Sequence, residues 1–343
     1  MSQPIKVFCD TDIGDDDALG IAMLLRAPNI EVVGFSTVAG NTTVENATCN
    51  LLTLLNVADR QIPVTIGSAR PLIVAPSHQG AAIHGPDGFW NCQQPHDLTA
   101  IPRDAPKAIA DAARANPGMT LLALGPLTNV AHAIQQYPDL LATINIVALF
   151  GGKRGNITPL AEFNAWFDPD AVNIVLRFGV NLTIITLDAW SPITVDPTAL
   201  TEQLHQSTDP LAHFLVSPLC GYAAAQTMFG GHVITIPDAL AAAYIIDSSM
   251  STLQPALVKV SSDTGGITRG LTVIGITPGE KIAMIGSDDE LSDIVDHMYG
   301  DPNFNLHAAM ASILGREPDN ARVILSMRQT ALDEAIARLC RPE

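Results

Sequence analysis

Five aspartates fall within eight positions near the start of the chain: Asp10, Asp12, Asp15, Asp16 and Asp17, in the stretch CDTDIGDDDALG. The apolar run Ile5, Val7, Phe8 precedes them and Ala18-Leu19 follows. Asp10 and Asp12 stand two apart at a strand end, so both point the same way. Gly14 permits a tight turn. Asp15 to Asp17 then fall in the first turn of a helix, where the macrodipole favours negative charge. That accounts for one or two carboxylates, not five. Two carboxylates ~4 Å apart repel by about 4 kcal/mol at an effective dielectric of about 20. Several such pairs rival the ~5–15 kcal/mol that holds a domain together. A proton or a cation must neutralise them, and an all-oxygen donor set suits a hard cation, Ca²⁺ or Mg²⁺.

These residues need a frame to hold them. Short apolar runs that read as strands are Ile5–Cys9, Glu31–Val38, Val64–Ile66, Thr120–Leu124, Ile144–Phe150 and Leu182–Leu187. Helical patterns lie between several of them, at Asp16–Arg26, Val44–Leu55, Pro106–Ala115, Pro126–Gln136 and Pro169–Arg177. A helical region over Pro197–Ile246 and strands at Ala256–Val260 and Gly270–Ile274 follow, then a strand and helix within Arg322–Leu339. Alternation of this kind predicts an α/β fold, a mostly parallel central sheet flanked by helices. In open sheets of this class, ligands bind at the carboxyl ends of the strands. The polar residues there are Asp10 to Asp17, Gly40-Asn41, Gly125 to Asn129, Gly151 to Asn164, and Asp188. No linker or repeat divides the chain, so residues 1–343 read as one domain, with an insertion at about 277–320.

Composition narrows the function. The chain has 343 residues, 47% hydrophobic and 15% charged, with a net charge of -17. A nucleic-acid or anionic-membrane partner needs clustered Lys and Arg, so both are excluded as expectations. Five cysteines without a CxxC pair argue against a disulfide framework or a zinc site. The start MSQPIKVFCD lacks a leader pattern, and no apolar run reaches the ~18 residues of a membrane helix. The cytosol is the expected compartment.

Other D-x-D frames fit less well. An EF-hand requires Gly at its sixth position and Glu at its twelfth; counted from Asp10 these are Asp15 and Ile21. A phosphatase of the haloacid-dehalogenase type also places D-x-D after its first strand, and GSDDELSD (Gly286–Asp293) could serve as its second acidic motif. Gly14 stands where that pattern prefers Thr or Val, and Lys153 is the central candidate for its lysine.

The run DTDIGDDDALG resembles the N-terminal signature of the nucleoside hydrolases, D-x-D-x-G-x-D-D-A. Six further segments resemble the family in family order: TVAGN, HGPDGFWN, LGPLTNVA, the stretch Gly155–Ala171, PDALAAAY and GGITRGLTV. The resemblance implies that fold, with its site at strand carboxyl ends. It implies Ca²⁺-dependent hydrolysis of the bond between ribose C1′ and a base nitrogen, through an oxocarbenium-like transition state. It implies Asp12 as metal ligand and as the base that activates water, with Asp17, Asp238 and the carbonyl of Leu124 as further metal ligands. Asp16, Asn41, Asn156, Glu162, Asn164 and Asp238 are implied on the ribose. Asp10 is expected to orient Asp12 or other loop groups, Asn129 to cap or brace a loop, and Asp15 to be a solvated charge at the helix start.

The leaving group is where the chain departs from the family. Many members carry His just before the late metal-binding Asp, as a proposed acid; here Pro237 stands there and donates no proton. A purine-preferring branch uses tryptophan stacking and has a Trp at this position, so Pro237 fits neither pattern. Substitutes are His84, His232, Trp90, Phe89, Tyr222 and Phe229, with His84 and His232 placed in the substrate site. Trp166 and Trp190 lie near the site in sequence, and core packing is the stronger reading of Trp166. Three functions follow: a nucleoside hydrolase, a hydrolase of a modified nucleoside or other ribosyl compound, or a non-catalytic ribose- or Ca²⁺-binding protein. The family implies a homodimer or homotetramer.

Overall fold

The computed structural model describes residues 3–74, 80–179, 181–228 and 230–341. Among the described residues nine strands form one sheet: β1 (Ile5–Thr11), β2 (Ile30–Thr37), β3 (Val64–Ile66), β4 (Thr120–Ala123), β5 (Asn145–Leu149), β6 (Leu182–Ile185), β7 (Ser251–Val260), β8 (Thr272–Gly275) and β9 (Ala321–Met327). Their spatial order is β3-β2-β1-β4-β5-β6-β9-β7-β8. All pairs from β3 to β9 are parallel, and β7 and β8 close one end antiparallel. The mostly parallel α/β expectation holds.

Period-2 alternation builds a core on each face. Val7, Cys9 and Leu122 join one cluster, which includes the helices Asp15–Arg26, Pro210–Thr227 and Pro237–Ile246. Phe8, Leu121 and Ala123 join the other, with the helices Ala105–Ala115, Thr128–Gln136 and Pro169–Phe178. Two-sided burial explains why these strands read as short continuous apolar runs.

β1 lies between β2 and β4, so the strand order reverses there and opens a crevice at the carboxyl ends. Two hydrogen bonds carry the ladder past the strands: Leu124 N donates to Asp10 O at 2.9 Å, and Val38 N to Thr11 O at 3.0 Å. The strand β1 runs two residues past its expected end at Cys9, which places Asp10 inside the sheet. β7 begins five residues before its expected start at Ala256, because its early half pairs with β9.

The segment around 277–320 forms the helices Pro278–Ile285, Asp288–Gly300 and Leu306–Leu314. The middle helix buries none of its residues, and Val295, Met298 and Tyr299 are exposed on it.

Candidate active site

The crevice between β1 and β4 gathers the acidic cluster. Asp10 is fully buried, and its Oδ1 accepts from Ser36 Oγ at 2.5 Å and Asn129 Nδ2 at 2.8 Å. Asn129 also donates to Thr37 O at 2.9 Å and accepts from Ser68 N at 2.8 Å. Asp10 and Asn129 thus tie β1, β2 and the helix Thr128–Gln136 together beneath the site. Asp12 follows the end of β1, and its Oδ2 accepts from Asn41 N at 2.7 Å. A Cβ at Gly125 would lie 2.7 Å from Asp12 Oδ1, so only glycine lets the β4 loop approach so closely.

Asp17 is held on both oxygens. Oδ1 accepts from Thr11 Oγ1 at 2.5 Å; Oδ2 accepts from Gly14 N at 3.0 Å and Asn41 Nδ2 at 3.3 Å. Asp238 comes from the first turn of the helix Pro237–Ile246, which packs on the helix Asp15–Arg26. One ligand oxygen from each of Asp16, Asp17 and Asp238 lies within 4.8 Å of the others. Asp16 Oδ1 and Asp238 Oδ1 are buried with no hydrogen-bond partner among the described residues. Burial first, then the neighbouring carboxylates, pushes Asp17 up to about 6 and Asp12 and Asp238 well above the usual carboxylate range. Unpartnered buried carboxylate oxygens facing one another fit a hard cation. The sequence reading assigned Asp16 to the sugar; the fold draws it into the acidic trio as well.

A cavity of about 530 Å³ opens beside this cluster, within the ~300–1,000 Å³ range of small-molecule sites. Asp12, Asp16, Leu124 and Asp238 border it, and so do Asn41, Asn156, Glu162 and Asn164. Glu162 caps the helix Phe163–Phe167: Asn164 N donates to Oε1, and Gly151 N and Ala165 N donate to Oε2. Burial still pushes Glu162 up to about 7 against those three donors. Asn164 Nδ2 donates to Leu124 O at 2.7 Å and to Leu149 O at 2.8 Å, joining the ends of β4 and β5. Asn156 Oδ1 accepts from Phe163 N at 2.9 Å.

His84, Trp190, Tyr222 and Pro237 border the cavity too. Tyr222 donates to Thr235 O at 3.0 Å, and its ring centroid lies 5.3 Å from that of His84. His84 Nδ1 meets Asp15 Oδ2 at 3.1 Å. Burial alone would lower the imidazole, but the Asp15 hydrogen bond and the charges of Asp16, Asp15 and Asp17 outweigh it and hold His84 at about 9.

Several expectations change. Asp15 is no solvated charge. It is fully buried, because the turn at Gly14 aims the helix start inward onto His84. His232 is exposed and stands outside the residues that line the cavity. The backbone bridge Val195–Ile234 and the grip of Gln226 on Thr235 hold that strand of chain two residues later, leaving His232 on the outer side. Phe89 is core, packed on Phe214, and Trp90 donates to Ile83 O behind the cavity wall. Trp166 is buried and packs on Phe163. Phe229 lies outside the described residues. Arg154, within the strand-end stretch Gly151 to Asn164, and Ser191 and Gln226, outside every such stretch, also line the cavity. No motif marks them, since each reaches the cavity from a loop or a helix face fixed only by tertiary packing.

Comparison with known proteins agrees with this geometry. Residues 7–333 match the family model of the inosine-uridine preferring nucleoside hydrolases. The non-specific ribonucleoside hydrolase RihC of Escherichia coli (strain SMS-3-5 / SECEC) is 36% identical over 278 residues, 79% of this chain and 88% of that one. RihC of Shigella sonnei (strain Ss046) matches with the same identity and coverage. The solved plant nucleoside hydrolase PpNRh1 superposes with a TM-score of 0.81 at 25% identity, covering 99% of this chain and 100% of that one. A purine-preferring ribonucleoside hydrolase from Gardnerella vaginalis shares the fold, with a TM-score of 0.78 at 24% identity over 98% of each chain. The acidic crevice at the strand switch point and the match along nearly the whole chain lead to one conclusion: the chain belongs to the inosine-uridine preferring nucleoside hydrolase family and is an N-ribosyl hydrolase.

Proposed function

We propose that the chain hydrolyses the N-glycosidic bond of purine and pyrimidine ribonucleosides to ribose and free base, with Ca²⁺ as its cofactor. The observation that carries this reading is the buried Asp16, Asp17 and Asp238 trio, with unpartnered oxygens on Asp16 and Asp238, at the edge of a nucleoside-sized cavity. Asp12, Asp17, Asp238 and the carbonyl of Leu124 would hold the ion, with Asp16 beside them. When bound, Ca²⁺ offsets the carboxylate charge, orients a water and lowers its pKa.

Asp12 takes the proton from the attacking water; the Asn41 N–H on its Oδ2 fixes the carboxylate for that task. Asn41, Asp16, Asn156, Glu162, Asn164 and Asp238 bind the ribose hydroxyls. Vicinal hydroxyls suit such amide and carboxylate pairs, because each hydroxyl both donates and accepts. The three backbone donors on Glu162 hold its rotamer before substrate arrives, which lowers the ordering cost of binding. His84 faces the leaving base, since Pro237 offers no proton. The same reading includes a homodimer or homotetramer, which the exposed apolar residues of the helix Asp288–Gly300 support.

The test is base release from a panel of purine and pyrimidine ribonucleosides by the native, chelated and Ca²⁺-restored protein, alongside Asp12→Asn. We expect release that chelation abolishes and Ca²⁺ restores, and a loss of ~10²–10⁴-fold in Asp12→Asn. No release from any nucleoside, or full activity in Asp12→Asn, overturns the reading. Full activity after chelation overturns the Ca²⁺ part of it.

A further inference from the structure

Pro237 leaves the departing base without the donor that a histidine there would supply, yet among the described residues the cavity wall carries a buried imidazole, His84. His84 ends a short helix, Ala81–His84, whose backbone is anchored by His84 N donating to Gly80 O at 3.0 Å. The ring lies against the turn at Gly14, where a Cβ would come 2.8 Å from His84 Cε1. The tilted ring of Tyr222 packs beside it. Nδ1 is taken by Asp15 Oδ2 at 3.1 Å. Asp15 Oδ1 is buried with no hydrogen-bond partner among the described residues, so His84 is the partner that engages this carboxylate through its other oxygen. A buried carboxylate is costly to keep unless its partner matters to the fold or to the chemistry. With Nδ1 occupied, Nε2 is the ring nitrogen left for the cavity.

We propose that Asp15 is a positioning residue: by accepting the Nδ1–H of His84, it holds the imidazole so that Nε2–H serves the departing base in the role Pro237 cannot fill. The inference rests on the hydrolase reading given above. The step balances without a further reagent. Water oxygen bonds to C1′ as the C1′–N bond breaks, and that bond's electron pair passes to the base nitrogen. The Nε2 proton of the imidazolium goes to the base, and a water proton goes to Asp12. Solvent exchange then returns Asp12 and His84 to their starting states. The arrangement follows a general pattern in which a carboxylate behind an imidazole sets its tautomer and orientation.

The test compares Asp15→Ala, Asp15→Asn, His84→Ala and the double variant on two substrates in saturating Ca²⁺. One substrate is a ribonucleoside; the other is 4-nitrophenyl β-D-ribofuranoside, whose phenolate leaves without a proton. We expect Asp15→Ala and His84→Ala each to lower nucleoside kcat by ~10²-fold and to leave nitrophenyl riboside turnover within about threefold. The double variant should be no worse than either single one, because the two act as a unit. Asp15→Asn keeps the shape of the contact without the charge that favours the Nδ1–H tautomer and the imidazolium, so it should also lose nucleoside turnover and spare the nitrophenyl riboside. Equal losses on both substrates would show a structural role for Asp15 and overturn the proposal. Full nucleoside turnover in His84→Ala overturns it as well. A native chain that cleaves neither substrate overturns the hydrolase reading and this inference with it.

Discussion

Asn129 shows how much of this site depends on residues that never meet substrate. Its amide spans three partners at once: Asp10, the carbonyl of Thr37 and the N–H of Ser68. Asn129→Ala would remove one hydrogen bond from each, worth about 1 kcal/mol apiece, while Asp10 keeps Ser36 and the Thr37 carbonyl keeps the Gly67 N–H. We expect a stability loss of ~3 kcal/mol, read as a lower urea midpoint with an unchanged slope, and a several-fold lower kcat/KM as Asp10 and the end of β1 that leads to Asp12 lose their bracing. A midpoint within ~0.5 kcal/mol of the native chain would refute the bracing role. The residues proposed to hold metal and sugar were legible in the sequence because their types are scarce and their spacing regular. Asp12, Asp16, Asp17 and Asp238 come from two short motifs, and all lie at one crevice. Asp15 and His232 were misread for one reason: exposure is a tertiary property. Nothing in DDDALG says which way the first of three aspartates turns, and nothing in FGGHV says that the Val195–Ile234 bridge leaves its histidine outside.

The helix pair Asp15–Arg26 and Pro237–Ile246 delivers the trio of carboxylates from the two ends of the chain's core. They meet closely at Gly20, where a Cβ would lie 2.8 Å from Asp238 O. That neighbour is backbone and cannot rotate away, so a methyl group there must push the helices apart. Gly20→Ala gains about 1 kcal/mol of helix propensity and loses ~1–3 kcal/mol to overpacking. The net stability change is therefore small. The displacement of Asp238 is not, since it sits beside the contact. We expect calorimetric titration to show Ca²⁺ binding weakened by ~10-fold, about 1.4 kcal/mol, with Tm lowered by only a few degrees. Unchanged affinity would mean that the trio tolerates sliding of the two helices. Elements were the most legible scale. The strand and helix patterns read from the sequence reappear with small shifts at their ends, as with Val44–Leu55 against the observed Val44–Val57. The larger miss was at β7, whose exposed first half, Ser251 to Pro255, lacks the apolar run by which a buried strand is recognised.

At the scale of the whole molecule, burying so many carboxylates couples stability to pH in an unusual direction. Burial pushes Asp10 up to about 6, Asp15 up to about 7, Asp17 up to about 6 and Glu162 up to about 7. In the unfolded chain these groups return to about 4. Between those limits the cation-free native state binds more protons than the unfolded state, so its stability falls as pH rises. The contribution is complete below about pH 4 and lost by about pH 7, the reverse of a salt-bridged aspartate. Asp10 alone, raised by about two units, is worth about 3 kcal/mol across the window. The net charge of -17 adds surface repulsion of the same sign, but salt screens it and leaves the buried groups untouched. Urea unfolding in chelator at 0.5 M salt should therefore lose several kcal/mol between pH 5 and pH 7.5. Saturating Ca²⁺ should flatten that slope, since an ion bound to the native state favours the deprotonated carboxylates and stabilises most where protons have left. A chelated protein as stable at pH 7.5 as at pH 5 would mean that the cluster is relieved by something other than protons or a cation. The net charge of -17 thus has at its centre a buried acidic cluster whose cost to the fold rises with pH.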